Sequence, residues 1–403
     1  MKSTLKAKIL LGLAFVLFLF FFSNDFGLID VEKTSIITAV AIDKEDQTFT
    51  VTAQIAVPEA TDTNSENLKA QLSGKGSTVG AALKDLGDVS GWFPKLAFCN
   101  LIILGDSLTD TNVIEALDYF AKTLRVQDSA LVALAENSAK ELLSITTPLD
   151  NISAFALQKV MLKNQGFDRD VASTDIKTFC SGYYSRNGSA FMPLIKTVNS
   201  GDNSSDESSS DSSAKSGSSG SSSSADTKNK DSLFDARTTA LFKDGYKVGE
   251  LDPELTLTFN ALTQNFSDTT LPVNDVLEQD GKTNNYLLTV ISSTPKLILS
   301  VNDGLTLDIS LKLYCKISDH ASQSSKDALS QNTPLSTAVK KKAQDLMTER
   351  INALIEVEKQ TGCDFLKIKE KLYRYHNKQY SKYKDNFLSV LKTKVNVIVE
   401  GQK

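Results

Sequence analysis

The sequence predicts two regions of mixed α and β structure. The first is an α/β N-terminal region with a mixed sheet, and the second an α+β domain in which one long helix packs on an antiparallel sheet. Three observations predict this. Strand-like and helix-like segments alternate from Lys33 to Val198, as in α/β layering. Asn199–Ser232 is roughly half serine with no large apolar side chain, and it divides the chain. Beyond it, β-rich segments follow one another before a single long amphipathic pattern and a last strand. The expected boundaries are 1–24, an apolar membrane segment; 25–198, the α/β region; 199–232, a flexible linker; and 233–403, the α+β domain.

In chain order, Lys33–Ala41 is rich in Ile, Val and Thr, and Asp43–Gln47 supplies turn residues. Phe49, Val51, Ala53, Ile55 and Val57 then alternate with polar residues as far as Pro58, which predicts a hairpin with one buried face. A polar loop spans Glu59–Asn67, and Ala70–Gly76 reads as a third strand. Ser77 is the expected cap of a helix carrying Val79, Ala82, Leu83 and Leu86 on one stripe, ended by Gly91 and Pro94. Leu96–Leu104 is nearly continuous in apolar residues and reads as one strand buried on both faces, with Cys99 in its core. Asp106 or Asp110 opens a helix with Val113, Leu117, Phe120 and Leu124 inward, followed by a strand at Ala130–Ala135 and a short helix at Ala139–Leu143. Asn151–Gly166 carries Ile152, Phe155, Ala156 and Val160 at helical spacing. Thr174 caps the next helix through Ser185, and Ala190–Val198 returns as a strand. Alternation at this spacing makes part of the sheet parallel.

The second domain opens with a hairpin, Thr238–Lys243 and Tyr246–Gly249, around the turn Asp244-Gly245. Asp252-Pro253 caps and starts a helix to about Leu262. Asn285–Ile291, Lys296–Val301 and Leu305–Ser318 form a meander. A helix from about Ser336 to Gln360 presents Val339, Ala343, Leu346, Met347, Leu354 and Ile355, and Gly362 stops it. Asp364–Tyr383 is helical, and Val390–Glu400 closes the sheet.

Bulk composition narrows the function. With 403 residues, 41% hydrophobic and 23% charged, the chain is ordinary for a globular protein of two or three domains. A net charge of -5 argues against nucleic acid or an anionic surface as partner. Cys99, Cys180, Cys315 and Cys363 lie far apart and form no C-x-x-C pair, which disfavours zinc. The sequence leaves open whether they pair or stay as buried thiols. Asn203 and Asn265 begin N-x-[ST] sequons, a weak pattern.

At the N-terminus, Ile9–Phe22 reads ILLGLAFVLFLFFF, after Lys2, Lys6 and Lys8. A membrane span needs about 20 apolar residues, so this run stands at the low edge. A secretory signal core also fits, but the exit Phe20-Phe21-Phe22-Ser23-Asn24 is bulky where a peptidase wants small residues. Lysines before the run and Asp25, Asp30 and Glu32 after it place the start of the chain in the cytoplasm. The expectation is an uncleaved signal anchor, with the folded regions on the extracytoplasmic face.

Little in the sequence points to catalysis. His320 and His376 stand alone in polar surroundings, and no nucleophile elbow, phosphate loop or zinc-helix motif occurs. Asp43 with Glu45 and Asp46 offers the paired carboxylates of a glycan hydrolase, but in a hairpin turn these residues serve turn chemistry as well. Tyr373, Tyr375, Tyr380 and Tyr383 interleave with Lys and Arg, as a contact face does, or as a half-buried helix face does. No catalytic, cofactor or metal residues are assigned, and no cofactor is expected.

Several short stretches, in order, carry a family likeness. They are Ala41-Ile42-Asp43, the strand Val51–Pro58, Ser73-Gly74-Lys75-Gly76 before a helix, Leu101–Gly105, and Ala116-Leu117-Asp118-Tyr119-Phe120. Further on come Ala240–Gly245 with Val248-Gly249 and Leu251, then Cys363-Asp364-Phe365, Asp385-Asn386-Phe387 and Val395–Glu400. In these the chain resembles the Ger(x)C family of spore germination proteins, the C subunits of germinant receptors. The resemblance implies an extracytoplasmic protein of several α/β domains without known enzymatic activity. It also implies work beside a multi-spanning transporter-like subunit and a further membrane subunit that respond to small nutrients. Members are typically lipoproteins with a cysteine where Ser23-Asn24-Asp25 stands here, so the apolar run itself must be the anchor. The serine-rich insertion is not a family hallmark, and no family site residues carry over. The expected function is a non-catalytic, membrane-anchored subunit of a germinant-receptor-like complex. The alternatives are a direct nutrient sensor with an apolar pocket and a cell-wall hydrolase.

Overall fold

The computed structural model describes residues 8, 10–16, 18, 34–56, 69–123, 126–150, 152–162, 170–199, 232–263, 268–277, 281, 283–302, 304–321 and 334–401. Most of the expected anchor, the loop at 59–67, Leu124, both sequons and nearly all of the serine-rich linker lie outside these residues.

The first sheet runs in the order β10-β9-β8-β6-β5-β1-β2-β3. Its strands are β1 (Thr34–Glu45), β2 (Thr48–Ala56), β3 (Lys69–Gly76), β5 (Leu101–Leu104), β6 (Leu131–Ala135), β8 (Ser189–Asn199), β9 (Ser232–Lys243) and β10 (Tyr246–Leu251). The short strands β4 (Phe93–Lys95) and β7 (Thr174–Asp175) pair with β1 and β6. Pairs β1·β5, β5·β6 and β6·β8 are parallel and the remaining ladders of the main order are antiparallel, so the sheet is mixed as expected. Alternation along the central strands sends side chains into two cores. Val40, Ile42, Ile102 and Leu104 face α1 (Val79–Ser90), α2 (Ile114–Lys122) and α5 (Ile176–Tyr183). Ala39, Ala41, Leu101 and Ile103 face α3 (Ala139–Ser144) and α4 (Ser153–Met161). Burial on both faces explains the unbroken apolar run LIIL.

The expected α1 stripe, Val79, Ala82, Leu83 and Leu86, is the buried one, although Thr78 rather than Ser77 caps the helix. Gly74 and Gly76 let α1 lie directly on β3. A Cβ at Gly74 would meet the Ala82 carbonyl oxygen and come within 2.6 Å of Leu86 N, and one at Gly76 would stand 2.5 Å from Ala82 N. Because backbone atoms cannot rotate aside, Gly74→Ala is expected to cost about 1–3 kcal/mol of overpacking. A lowered urea midpoint with an unchanged slope checks this.

Leu96–Leu104 is not one strand. Between the two stretches paired to it, β1 advances from Ile36 to Ala39 while its partner advances from Lys95 to Leu101. The surplus residues leave the ladder as a 3-10 turn at Leu96–Phe98, and Cys99 is buried just after that turn rather than in a strand. Neither Asp106 nor Asp110 caps α2: Asp106 begins a separate 3-10 turn, and Val113 precedes the helix. Likewise Asp175, not Thr174, caps α5 through a 2.6 Å bond from Thr178 N.

The second sheet has the order β11-β12-β13-β14: β11 (Thr269–Leu277), β12 (Thr283–Ser300), β13 (Thr306–Ala321) and β14 (Lys392–Gly401). Two of the expected meander segments are one long strand, β12. The sheet is not wholly antiparallel either. β14 lies parallel to β13, because the chain crosses back through α7 (Thr337–Thr361), α8 (Ile368–Tyr375), α9 (Asn377–Tyr383) and α10 (Phe387–Val390). α7 is capped by Ser336 and stopped by Gly362 at φ 67, as read from sequence. It buries Val339, Ala343, Met347, Leu354 and Ile355, with Leu346 partly buried.

The hairpin β9–β10 forms around Asp244-Gly245 as its turn chemistry dictates, but it extends the first sheet through β8 rather than opening the second. α6 (Pro253–Thr263), capped by Asp252 at 2.7 Å from Leu255 N, leads from it into the second sheet.

Candidate functional site at the domain joint

The residues quoted from β9 and from the end of α7 meet where the turn after α7 lies against β8 and β9 of the first sheet. Gly362 turns the chain so that Cys363 buries its thiol, with Sγ 3.3 Å from the Phe242 carbonyl oxygen. The Asp364 N–H donates to Ser189 Oγ at 2.9 Å, and Asn187 Nδ2 donates to the Gly362 carbonyl at 3.4 Å. Asp364, almost fully buried, accepts from Ile368 N at 2.6 Å and Lys369 N at 2.8 Å, starting α8. Glu358 is fully buried beside it and accepts from Leu366 N at 3.1 Å. Burial pushes the Glu358 carboxyl well up, the Asp364 charge adds to this, and burial raises Asp364 as well. Burial lowers Lys371, whose ammonium donates to the Leu366 carbonyl at 2.9 Å.

Beside this buried pair opens a polar cavity of about 530 Å³, lined by Arg186, Asn187 and Ser189 from the first domain and Lys367, Glu370 and Arg374 from the second. Arg186 lies 3.3 Å from the Tyr373 ring centre and 5.9 Å from that of Tyr380, and the two rings meet edge to face at 5.3 Å. Glu370 pairs with Arg374 at 2.7 Å and stands 3.9 Å from Arg186. The tyrosine cluster is therefore a contact face used within the chain. Tyr383 is buried, and Tyr375 remains exposed. The arrangement suits holding two domains together and receiving a polar or anionic group. No histidine lines the cavity to activate a nucleophile.

Of the other sequence candidates, Asp43 and Glu45 line one open pocket of about 390 Å³, and the two histidines lie elsewhere. Asp43 accepts from Ala139 N at 2.9 Å and Lys140 N at 3.0 Å, capping α3, while Glu45 is exposed and Asp46 sits in the turn at φ 52. Convergent catalysis needs a free pair, and Asp43 is spent on backbone amides. His376 Nε2 lies 2.8 Å from the Leu299 carbonyl oxygen, and His320 stacks on Tyr286. All four cysteines are free thiols, and burial pushes Cys99, Cys315 and Cys363 up to about 12. Among the described residues no cluster of metal-ligating side chains occurs.

Sequence reading missed Arg186 and the buried Glu358. A lone arginine in a turn carries no local signal of its tyrosine partners, and a glutamate on a long charged helix reads as solvated.

Fold and joint define a two-domain α/β protein with a mixed sheet in each domain. Residues 28–197 match the model described as the spore germination protein N-terminal domain, and residues 237–402 match spore germination B3/GerAC-like, C-terminal. The chain belongs to this spore germination family, that of the germinant receptor C subunits. It is also similar to the crystal structure of the GerBC protein at 14% identity and TM-score 0.49, covering 93% of this chain and 100% of the other. No curated protein matches it.

Proposed function

We propose that the protein is a non-catalytic extracytoplasmic subunit of a germinant-receptor-like complex, held at the membrane by its N-terminal apolar run and docked on other membrane subunits. The observation that carries the tether is the run itself. Its described residues are helical, and Leu10, Leu11, Leu13, Phe15 and Val16 are all more than half exposed and belong to none of the three buried cores. An all-round apolar helix left in water is costly, and a bilayer relieves it. No helix among the described residues is by itself long and apolar enough to cross a membrane, and part of this run lies outside them. Family membership supports the receptor role.

Deleting residues 1–24 behind a cleavable secretion signal is expected to leave a folded protein that no longer fractionates with membranes. Spores carrying it lose their nutrient response. A full response from the untethered protein would refute the proposal.

A further inference from the structure

The first domain leaves large apolar side chains exposed at one end. Val89 ends α1 at 78% exposure, and Trp92 (46%), Phe93 (38%) and Phe98 (53%) follow around β4. Ile36, 39% exposed, continues the group across the ladder, since β1 and β4 pair Thr34 with Phe93 and Ile36 with Lys95. A cavity of about 550 Å³ opens among Gly87, Asp88, Gly91, Trp92, Phe93 and Pro94, so the surface is indented rather than closed over. Lys84 and Lys95 are exposed nearby with Asp88, giving both charge signs beside the apolar group. Scattered single apolar residues need no explanation, but a contiguous group rimmed by charge does.

The position in the chain says what covers it. β1 is where the polypeptide enters the fold after the apolar run, and only residues 23–33 separate Phe22 from Thr34. Even fully extended, that stretch spans about 40 Å. The end of the domain bearing Trp92 is thus held within one short tether of whatever the run inserts into. Tryptophan settles at the headgroup level of a bilayer, and the nearby Lys84 and Lys95 can reach the headgroups from beside it.

We infer that Ile36, Val89, Trp92, Phe93 and Phe98 form a membrane-seating surface that lies in the lipid interface and sets the first domain's orientation on the bilayer. This inference rests on the tethered reading above. Apolar burial drives the contact, so a zwitterionic surface suffices and the chain's net charge of -5 is no obstacle.

Trp92 is the chain's one tryptophan, so its fluorescence reports this surface alone. The full chain is reconstituted into phosphatidylcholine vesicles, with or without bromine at the top of the acyl chains. Trp92 is expected to lose most of its emission in the brominated vesicles and to resist aqueous iodide. The doubly substituted V89S/F93S chain is expected to float with the vesicles equally well and to keep its native circular dichroism. Its bromine quenching should fall severalfold. Vesicle-bound chain whose Trp92 ignores bromine and yields to iodide would overturn the seating surface while leaving the tether intact. Quenching unchanged in V89S/F93S would overturn it too. Chain that fails to float would overturn both readings.

Discussion

Phe259→Ala is expected to lower stability by about 3–5 kcal/mol, the range for removing a fully buried aromatic ring. Phe259 sits on α6 and is 1% exposed. Its ring meets Phe191 of β8 edge to face at 4.9 Å and Phe365, just beyond α7, at 5.5 Å. One side chain therefore fastens the first sheet, the connecting helix and the second domain's turn into a single core that also includes Leu241 and Leu251. Each edge-to-face pair adds about 0.5–1.5 kcal/mol beyond area burial, so the alanine loses contacts on both domains at once. The expected result is a lower urea midpoint, together with faster amide exchange at the start of β8 and in 363–366, the two segments that meet the ring. Phe259→Leu, which fills most of the volume, is expected to lose much less. A midpoint for Phe259→Ala indistinguishable from the parent would show that the two domains do not stabilise one another through this ring.

The parts of this architecture that local chemistry decides were legible in the sequence. Ser336 and Gly362 mark the ends of α7 because caps act within a turn of the residues they serve. The stripe of α1 was legible because period alone decides which side faces a sheet. What sequence reading misplaced depends on partners far along the chain. Asp244-Gly245 specifies that β9 and β10 pair with each other, and it says nothing of β9 continuing the ladder onto β8 across the serine-rich stretch. Asn285–Ile291 and Lys296–Val301 read as separate segments, and the residues between them, Pro295 included, belong to the one strand β12. β11 pairs with β12 only between Thr283 and Val290, so Pro295 lies where β12 has one neighbour, β13, and an open side on which a missing donor is tolerated. At the joint, Cys363-Asp364-Phe365 stood out as a family stretch without a stated role. The role needs Ser189, Phe242 and Glu358 in three dimensions, a set no spacing rule assembles.

Asp364→Ala is expected to cost about 2–4 kcal/mol, because the N–H groups of Ile368 and Lys369 lose their acceptor and each orphaned donor costs about 1–3 kcal/mol when buried. The same carboxyl makes the joint sensitive to pH through Glu358. Glu358 faces Asp364 and Lys371, its Oε2 has no hydrogen-bond partner among the described residues, and burial holds it protonated well above its ordinary value of 4.5. A carboxyl raised in the folded state binds its proton more tightly than in the unfolded chain. Its contribution is therefore complete below about pH 4.5, and it is lost as pH rises from there through the raised folded value. Asp364, raised from 3.8 by burial, adds a loss of the same sign from a lower starting pH. Glu358→Gln keeps an acceptor for Leu366 N and cannot ionise. The expected result is a variant near parental stability in acid that becomes the more stable protein as pH climbs, with the parent's downward slope above pH 4.5 flattened. Unfolding midpoints of parent and variant measured in parallel across pH check this. Parallel curves would mean that Glu358 titrates alike in the folded and the unfolded chain, so that burial does not raise it.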